Sequence, residues 1–412
     1  MLSFRRVSQS FRHLATYDVS PEFSKKVRRV VLSPLGVLAL ATAMAILCGL
    51  ALHPRVFALA GGLGAVTAAG VCWPWLTVRG VRATLRYDRP RTSEGAEVGV
   101  TAAVSNPLPW PAWGLSVLEG ETAVRLPAIA GRTRSSVRWP FMPALRGEYP
   151  SEAPTVATGF PFGLWDAKRR VAVEGKLIVW PRTFPVGPVP NLDGDEAVEG
   201  NVARNKIGST GDVLGVRPYR RGDSPRRIHW AQSARHDRLI VCELQSTSRP
   251  IAMIVLDTAE GIHTDGQDGT REWAIRAAAS MARGWIEAGA EVGIAFGDTV
   301  LSPRAGAEHV TRILDALAGL RGETRALADV LSSPALRAVR SAVRVIVTTD
   351  AGYAHAPKRA IFNDARWVVL QRSGFGFDGP LAKIGRVWLE LPSVAEVPHR
   401  LRHGTAEASH GS

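Results

Sequence analysis

Two uncharged apolar segments near the start of the chain, Val30–Leu52 and Val56–Val78, constrain its fold more than any other feature. Each is 23 residues long, and a helix needs about 20 to cross the hydrocarbon core of a bilayer. Only His53-Pro54-Arg55 separates them, which suits a tight turn. Because backbone groups in lipid must bond to one another, such segments become helices. The sequence therefore predicts a transmembrane helical hairpin over residues 30–78.

The composition of the second segment supports helix packing in a membrane. It is rich in glycine and alanine between Gly61 and Gly70, and small residues let two helices approach closely. Trp73 and Trp75 near its end are predicted interfacial anchors. A pair of buried core helices is disfavoured by the length of the uncharged segments. A cleaved signal peptide is disfavoured because a second apolar segment follows at once.

The basic residues that flank the two segments predict an orientation. Residues 1–29 form a basic segment, and arginines recur from Arg79 to Arg91, whereas the intervening turn holds only Arg55. Positive residues stay on the cytoplasmic side, so we predict a multi-pass membrane protein with both termini in the cytoplasm. The formal net charge of the whole chain is +14. Such a charge favours an anionic partner such as membrane lipid, nucleic acid or an acidic protein.

Residues 79–190 have the pattern of a β-sandwich-like domain. Short alternating runs such as Val98–Val104 and Ser135–Trp139 are separated by turn formers such as Asn106-Pro107. Eight aromatic side chains of this region are predicted to fill its core or to cover one face: Trp110, Trp113, Trp139, Phe141, Tyr149, Phe160, Phe162 and Trp165.

A basic signature segment follows at residues 191–248. Asp223-Ser224-Pro225 has the chemistry of a helix start, which predicts a short helix through about Ala234 and then a strand from Leu239 to Leu244. The candidate binding residues of the segment are Arg217, Tyr219, Arg220, Arg221, Asp223, Arg226, Arg227, His229, Trp230 and Arg235.

Several interpretations of this basic segment remain open. It is either a solvated face or a binding surface for phosphate, lipid headgroups or an acidic protein. Nucleic-acid binding is disfavoured, because only Tyr219 and Trp230 offer stacking surfaces and no nucleic-acid motif is present. His229 is a candidate general base, but no nucleophile with an orienting acid can be placed beside it.

Residues 249–397 alternate between strand and helix patterns, which predicts a doubly wound parallel sheet. Ile251–Leu256 reads as a buried strand, and three acids follow predicted strands: Asp257, Asp298 and Asp350. Ligands bind beyond the carboxyl ends of such strands, and oxygen donors suit Mg²⁺ or Ca²⁺. Thr348 or Thr349 would add a hydroxyl. Residues 398–412 are small and polar and are predicted to be a disordered tail.

The signature segment resembles that of a known family. The string from Arg217 to Trp230, together with Arg146-Gly147-Glu148-Tyr149 and Pro161-Phe162-Gly163-Leu164, is similar to the domain-of-unknown-function 58 (DUF 58) family. The resemblance implies a bacterial membrane protein, often encoded beside a MoxR-type AAA+ ATPase and a transglutaminase-like membrane protein. It also implies a C-terminal domain similar to von Willebrand factor A domains.

That likeness bears on the predicted metal site. The metal-dependent adhesion site of von Willebrand factor A domains has a first loop that reads Asp-x-Ser-x-Ser. Here the loop reads Asp257-Thr-Ala-Glu-Gly261, and both serines are missing. Asp257, Thr349 and Asp350 remain as candidate ligands for Mg²⁺ or Ca²⁺ at a degenerate site.

The sequence thus favours a membrane-anchored, non-enzymatic scaffold or adaptor. It would work with a MoxR-type ATPase in assembly or cell-envelope processes, a partnership that rests on the resemblance alone. One alternative is a membrane-associated enzyme that uses His229 or the acids near Asp257. Another is a sensor of anionic lipid or nucleotide. No phosphate-binding glycine loop or catalytic set is evident.

Overall fold

The computed structural model describes residues 33–120, 122–190, 207–220, 224–245, 249–322, 325–339, 342–356, 365–385 and 387–407. Within it the chain forms two compact units, each assembled from several stretches of sequence. The first unit takes in the apolar segments and most of the β-rich region. The second unit takes in the signature segment and the α/β region. The basic segment predicted at residues 1–29 lies outside the described residues.

The two apolar segments form helices α1 (Pro34–Ala51) and α2 (Val56–Gly80). Ser33 caps α1, where its Oγ accepts a hydrogen bond from the Gly36 backbone nitrogen at 3.0 Å. The helices run antiparallel, with Gly49 against Phe57 and Gly64 against Thr42. Both are long and apolar enough to cross a membrane, with 18 and 25 residues. Two helices are confirmed where two spans were predicted.

The C-terminal end of α2 is packed differently from the rest of the helix. Gly70, Pro74, Thr77 and Val78 are buried, whereas most of the preceding helix is exposed. These residues lie where α2 approaches the strands of the first unit. The helix also continues past Val78, the end of the apolar segment, to Gly80. The last turns of α2 therefore pack against protein.

Between α2 and Trp180 the described residues form eleven strands. They are β1 (Arg82–Tyr87), β2 (Arg91–Ser93), β3 (Val98–Asn106), β4 (Ser116–Glu119), β5 (Thr122–Arg125), β6 (Thr133–Phe141), β7 (Gly147–Tyr149), β8 (Thr155–Thr158), β9 (Ala167–Arg170), β10 (Ala172–Glu174) and β11 (Leu177–Trp180). In the first unit they form two four-stranded sheets, in the orders β10-β1-β3-β6 and β5-β4-β8-β9. Eight of the eleven strands just named, all in the predicted β-rich region, thus form these two sheets.

The core of the first unit is aliphatic. Strand β3 alternates buried and partly buried side chains, as expected for a strand with one face in a core. Leu85, Leu115 and Ile129 are almost completely buried. Of the two roles predicted for the aromatic side chains, filling this core does not apply to Trp113, Phe162 and Trp165, which are exposed.

The signature segment folds as a hairpin with a short helical insertion. Strand β12 (Ile207–Pro218) pairs antiparallel with β13 (Ile240–Gln245). Between them lie a 3-10 turn at Pro225–Arg227 and helix α3 (Trp230–His236). The predicted single helix from Asp223 is therefore wrong, because the chain is extended at Ile228 and α3 begins only after His229.

The α/β region contains a six-stranded sheet in the order β16-β15-β14-β17-β18-β19. Its strands are β14 (Ile251–Leu256), β15 (Glu291–Phe296), β16 (Thr299–Arg304), β17 (Val343–Thr349), β18 (Arg366–Leu370) and β19 (Leu389–Leu391). All neighbours pair in parallel except β16, which pairs antiparallel with β15. Strand β16 was not predicted from the sequence.

Helices cover both faces of this sheet. They are α4 (Thr270–Glu287), α5 (Ala307–Gly319), α6 (Leu327–Ser332), α7 (Pro334–Ala338), α8 (Asp350–His355) and α9 (Val397–Glu407). Ile254 packs with α4 and α5 on one face, and Val255 packs with α6 and α7 on the other. The predicted disordered tail is wrong for residues 398–407, because Val397 and Leu401 of α9 are buried in the core.

The boundary predicted between the β-rich and α/β domains also needs correction. Arg91–Ala96 and Met142–Gly147 belong to the second unit, although they lie within the β-rich stretch of sequence. Strand β2 pairs in parallel with β11 through Arg91 and Ile178. Residues 178–190, assigned from sequence to the β-rich domain, are likewise part of the second unit. The two units are therefore not consecutive domains.

Candidate functional site

His229 and Ser233 of the signature segment hold α3 against β13. The His229 backbone nitrogen donates to the Ile240 carbonyl at 2.8 Å, and its Nδ1 accepts from the Gln232 nitrogen at 3.3 Å. Ser233 is buried, and its Oγ donates to the His229 carbonyl at 3.0 Å and accepts from the Ile240 nitrogen at 2.9 Å. His229 thus acts as the cap of α3, and one of its ring nitrogens is occupied in that role.

Apolar and basic side chains of this segment are exposed together. Trp230, the first residue of α3, is 67% exposed, and Val216 and Leu239 are also exposed. Arg226 and Arg235 are exposed as well. Aromatic residues and arginine are enriched at protein interfaces relative to the rest of the surface. We call Arg226, Trp230 and Arg235 the signature surface.

The remaining predicted residues of the segment differ in their environment. Arg217 and Tyr219 are half-buried, and Arg220 is exposed. Arg217 Nη1 donates to the Pro218 carbonyl at 3.2 Å. Arg221, Asp223 and the side chain of Arg227 lie outside the described residues.

Asp257 lies directly after β14, at the carboxyl edge of the sheet, and is buried. Its Oδ2 accepts a hydrogen bond from Thr348 Oγ1 at 2.7 Å, and its Oδ1 accepts from the Ala259 nitrogen at 3.3 Å. Burial raises the pKa of Asp257, and these hydrogen bonds oppose that rise only in part. The carboxylate is therefore held by neutral donors.

Asp350 begins α8 at the same edge and is also buried. Its Oδ1 accepts from Arg372 Nε at 2.8 Å, and its Oδ2 accepts from Arg372 Nη2 at 3.2 Å and from the Ala382 nitrogen at 3.0 Å. Burial acts to raise the pKa of Asp350, but the hydrogen bonds from Arg372 and Ala382, with the charge of Arg372, together lower it. Asp350 is thus the anion of a buried ion pair.

These residues do not fit a divalent cation. A Mg²⁺ or Ca²⁺ ion needs several free oxygen ligands, and the guanidinium of Arg372 already occupies Asp350. Thr349 Oγ1 donates to the Ile262 carbonyl at 2.9 Å. Asp298 is exposed and pairs with Arg325. Among the described residues no cluster of three histidine, cysteine or acidic side chains could hold a metal. Metal binding by Asp257, Thr349 and Asp350 therefore stays a prediction.

Sequence reasoning missed His263, which orders the loop after Asp257. Its Nε2 lies 2.8 Å from the Asp257 carbonyl oxygen and therefore donates to it. Its Nδ1 then accepts from Thr270 Oγ1, at 3.2 Å. Burial, the largest influence, lowers the pKa of His263 to about 4. Nothing in the local sequence indicates this, since one partner lies six residues before His263 and the other seven residues after it, at the start of α4.

Replacing His263 by glutamine should flatten the dependence of stability on pH. A histidine whose pKa is lowered in the folded state binds fewer protons there than in the unfolded chain. The unfolding free energy of the unmodified protein should therefore fall as pH drops from about 6.5, the ordinary pKa, to about 4. Chemical denaturation at pH 7 and pH 5 checks this. If the unfolding free energy changes equally between pH 7 and pH 5 in both proteins, His263 is not a buried neutral histidine.

A second feature missed from sequence is a buried cluster of charges in the second unit. Glu94 accepts from Arg276 Nε at 2.8 Å and from the backbone nitrogens of Arg146 and Arg182 at 2.9 and 3.1 Å. The Arg146 guanidinium pairs with the Glu272 carboxylate. Its Nε donates to the Leu317 carbonyl at 2.9 Å. Burial lowers the pKa of Arg146 to about 10, while Glu94 opposes the shift. The Arg146-Gly147 motif thus has a structural role.

Comparisons with known proteins bear on these regions. The sequence model of the family described as "Protein of unknown function DUF58" matches residues 215–360, which include the signature surface, Asp257 and Asp350. This match supports the family resemblance seen in the signature. No curated protein matches the chain.

Solved structures show only faint likeness. An inactive mutant of the GH20 exo-beta-N-acetylglucosaminidase from Vibrio harveyi matches with a TM-score of 0.18 and 8% identity, over 45% of this chain and 32% of that one. A cycloisomaltooligosaccharide glucanotransferase from Paenibacillus sp. has a TM-score of 0.16 and 12% identity, over 70% of this chain and 49% of that one. The chain thus spans less than half of each structure's length, and likeness this faint does not define a shared fold.

Proposed function

We propose that this chain, with its DUF58 match and its two helices of membrane length, is a membrane-anchored adaptor without catalytic activity. The hairpin α1–α2 would hold it in the bilayer as a multi-pass protein. The basic residues after α2 favour cytoplasmic termini by the positive-inside rule. The signature surface would then meet partners in the cytoplasm.

The observation that carries the proposal is the exposure of Trp230 in the same short segment as the exposed Arg226 and Arg235. Tryptophan and arginine are the residues most enriched at the energetic centres of protein interfaces. The arginines would attract an acidic protein surface, and Trp230 would supply apolar contact. A MoxR-type AAA+ ATPase and a transglutaminase-like membrane protein are the partners that the family resemblance suggests.

The internal bonding of the reactive groups favours an adaptor over an enzyme. Asp257 is bound by Thr348, Asp350 by Arg372, and His229 caps α3. A general base must reach a proton of its substrate, and these side chains already serve the fold. The mostly parallel sheet with helices on both faces is compatible with a von Willebrand factor A-like domain, a fold often used for binding proteins.

Charge reversal of the signature surface should weaken binding to the purified MoxR-type ATPase from the same genome. We expect Arg226→Glu with Arg235→Glu, in the full chain, to raise Kd about tenfold, which corresponds to about 1.4 kcal/mol. Because the attraction is electrostatic, the loss should shrink as salt rises. Trp230→Ala should weaken binding with little dependence on salt. Biolayer interferometry at two salt concentrations measures all of these effects.

A matched control makes the same change of charge elsewhere. Arg312 and Arg337 are exposed in the α/β region, so Arg312→Glu with Arg337→Glu should leave the affinity unchanged. If both double variants weaken binding equally, net charge alone is responsible and the surface is not specific. If the Arg226 and Arg235 changes lower the melting temperature instead, these arginines stabilise the fold. If they change nothing, the basic face is merely solvated.

A further inference from the structure

The loop between β8 and β9 in the first unit is fixed by its own hydrogen bonds. The Gly163 nitrogen donates to the Gly159 carbonyl at 2.7 Å, and Gly163 has φ +64°, a conformation that favours glycine. Thr158 Oγ1 donates to the Trp113 carbonyl at 3.0 Å and accepts from the Phe160 nitrogen at 3.2 Å. The backbone conformation of the loop, residues 159–166, is therefore fixed by these hydrogen bonds.

This loop packs directly on α2. A Cβ atom added at Gly70 would lie 2.5 Å from Leu164 Cδ1, so the loop approaches the helix as closely as glycine allows. Three residues further along α2, the rings of Trp73 and Trp110 lie 5.7 Å apart. At the end of the helix, a Cβ atom added at Gly80 would likewise lie too close to the Leu108 side chain. The β region thus lies along the last eleven residues of the helix, from Gly70 to Gly80.

The pairing of the two helices gives the depth of this contact. Thr42 faces Gly64 and Gly49 faces Phe57, so the start of α1 at Pro34 lies level with about Trp73. With 18 residues, α1 is about 27 Å long, close to the roughly 30 Å of the hydrocarbon core. The edge of the hydrocarbon therefore falls near Trp73, and Gly70 with Leu164 lies about one turn inside it.

The side chains around this contact suit the border between lipid and water. Phe162 is 53% exposed and Trp165 is 40% exposed, and Trp113 and Trp75 are also exposed. Several exposed aromatic side chains on elements that pack against one another are unusual on a water-facing surface but typical of membrane interfaces.

Basic side chains lie on the side of these aromatics towards the end of α2. The Arg79 guanidinium stands over the Trp75 ring at 4.3 Å, and Arg169 Nη1 donates to the Arg79 carbonyl at 2.8 Å. Arg79 and Arg169 are exposed, as are Lys168 and Arg170 next to them. Cations at this level would meet the phosphates of anionic lipids, whose surface potential attracts arginine and lysine.

We infer that the loop 159–166, with Trp75 and Trp113, is a wedge that inserts into the phospholipid bilayer crossed by the hairpin. We call it the aromatic wedge. Phe162 and Trp165 enter the boundary between headgroups and acyl chains, where an interfacial segment is buried by roughly 5–10 Å. The inference rests on the proposed membrane insertion of α1 and α2. It adds that the β region is held against the lipid rather than tethered above it.

Spin labels at single cysteines test the wedge. The three native cysteines, Cys48, Cys72 and Cys242, are replaced by alanine. The full chain is reconstituted in vesicles of phosphatidylcholine and phosphatidylglycerol, with one label at Phe162→Cys, Leu47→Cys or Glu152→Cys. Leu47 is exposed on α1, and Glu152 is exposed before β8, at the strand end opposite the loop. Collision of each label with oxygen and with a water-soluble nickel chelate is measured by electron paramagnetic resonance.

We expect the oxygen-to-nickel ratio at position 162 to approach that at position 47 and to exceed that at position 152 several-fold. A ratio at 162 equal to that at 152, with 47 in lipid, would overturn the wedge and leave the hairpin intact. A water-like ratio at 47 would overturn membrane insertion of the hairpin and with it the proposed function. Lipid-like ratios at all three positions would indicate general adsorption and overturn the wedge. If Phe162→Cys fails to fold, Trp165→Cys carries the same test.

Discussion

Replacing Glu94 by alanine is expected to lower the free energy of unfolding by about 3–5 kcal/mol, because it leaves a buried charge without its partner. Glu94 and Arg276 are both almost fully buried, with Nε and Oε2 2.8 Å apart. The change also removes the acceptor for two backbone N–H groups, those of Arg146 and Arg182. Each buried donor left unsatisfied adds to the cost. Denaturant unfolding of the full chain measures the loss.

Glu97 provides the matched control. It lies three residues away and is exposed, so Glu97→Ala should change stability by less than about 0.5 kcal/mol. A double replacement, Glu94→Met with Arg276→Met, should cost much less than the two single changes added together, since it leaves neither charge unpaired. Additive losses would show that the two residues do not act as a pair.

Replacing Asp350 by asparagine is expected to cost about 3 kcal/mol for the same physical reason, since Arg372 would lose its buried counterion. The pKa of Asp350 is lowered in the folded protein, so its contribution is complete above the ordinary pKa of about 3.9. That contribution is lost as pH falls through the lowered pKa. Unfolding free energies of the variant and the unmodified protein should therefore converge in strong acid.

The stability of Asp257→Asn is to be compared with that of Asp350→Asn. The pKa of Asp257 is raised by burial, so its ionised form is a cost to the fold near neutral pH. That cost is relieved as pH falls through the raised pKa, the opposite of Asp350. An amide oxygen can still accept from Thr348, so this variant should change stability by less than about 1 kcal/mol.

The same two variants, Asp257→Asn and Asp350→Asn, also test whether the acids bind magnesium. A rise in melting temperature on adding Mg²⁺, lost in both variants, would show that the two acids hold a metal after all. Equal destabilisation by Asp257→Asn and Asp350→Asn without magnesium would instead contradict the different environments described for the two carboxylates.

The parts of the fold that follow local patterns could be predicted from sequence. Ile251–Leu256 is a continuous apolar run and is strand β14, and the two uncharged segments are helices. The predicted helix of the signature segment was wrong because the chain instead pairs at Ile228 with Val241, a contact set by the neighbouring hairpin. Local helix-start chemistry cannot reveal such a competing partner.

The candidate sites were harder to predict because their partners are distant in sequence. Glu94 and Arg276 are separated by 182 residues, and Asp257 meets Thr348 across 91 residues. Nothing in one sequence distinguishes an acid that meets an arginine in the core from one that meets water. The aromatic side chains posed a related difficulty, since an apolar ring suits a protein core and a lipid surface equally well.

The interlacing of the two units has a consequence for how the chain can be divided. The backbone passes from one unit to the other five times, at Pro90, Ala96, Phe141, Gly147 and Leu177. A fragment that starts at Ile178 would contain Arg276 but neither Glu94 nor Arg146, so its core would hold an orphaned cation. Neither unit is therefore a portable module that gene fusion or duplication could transfer with a single cut.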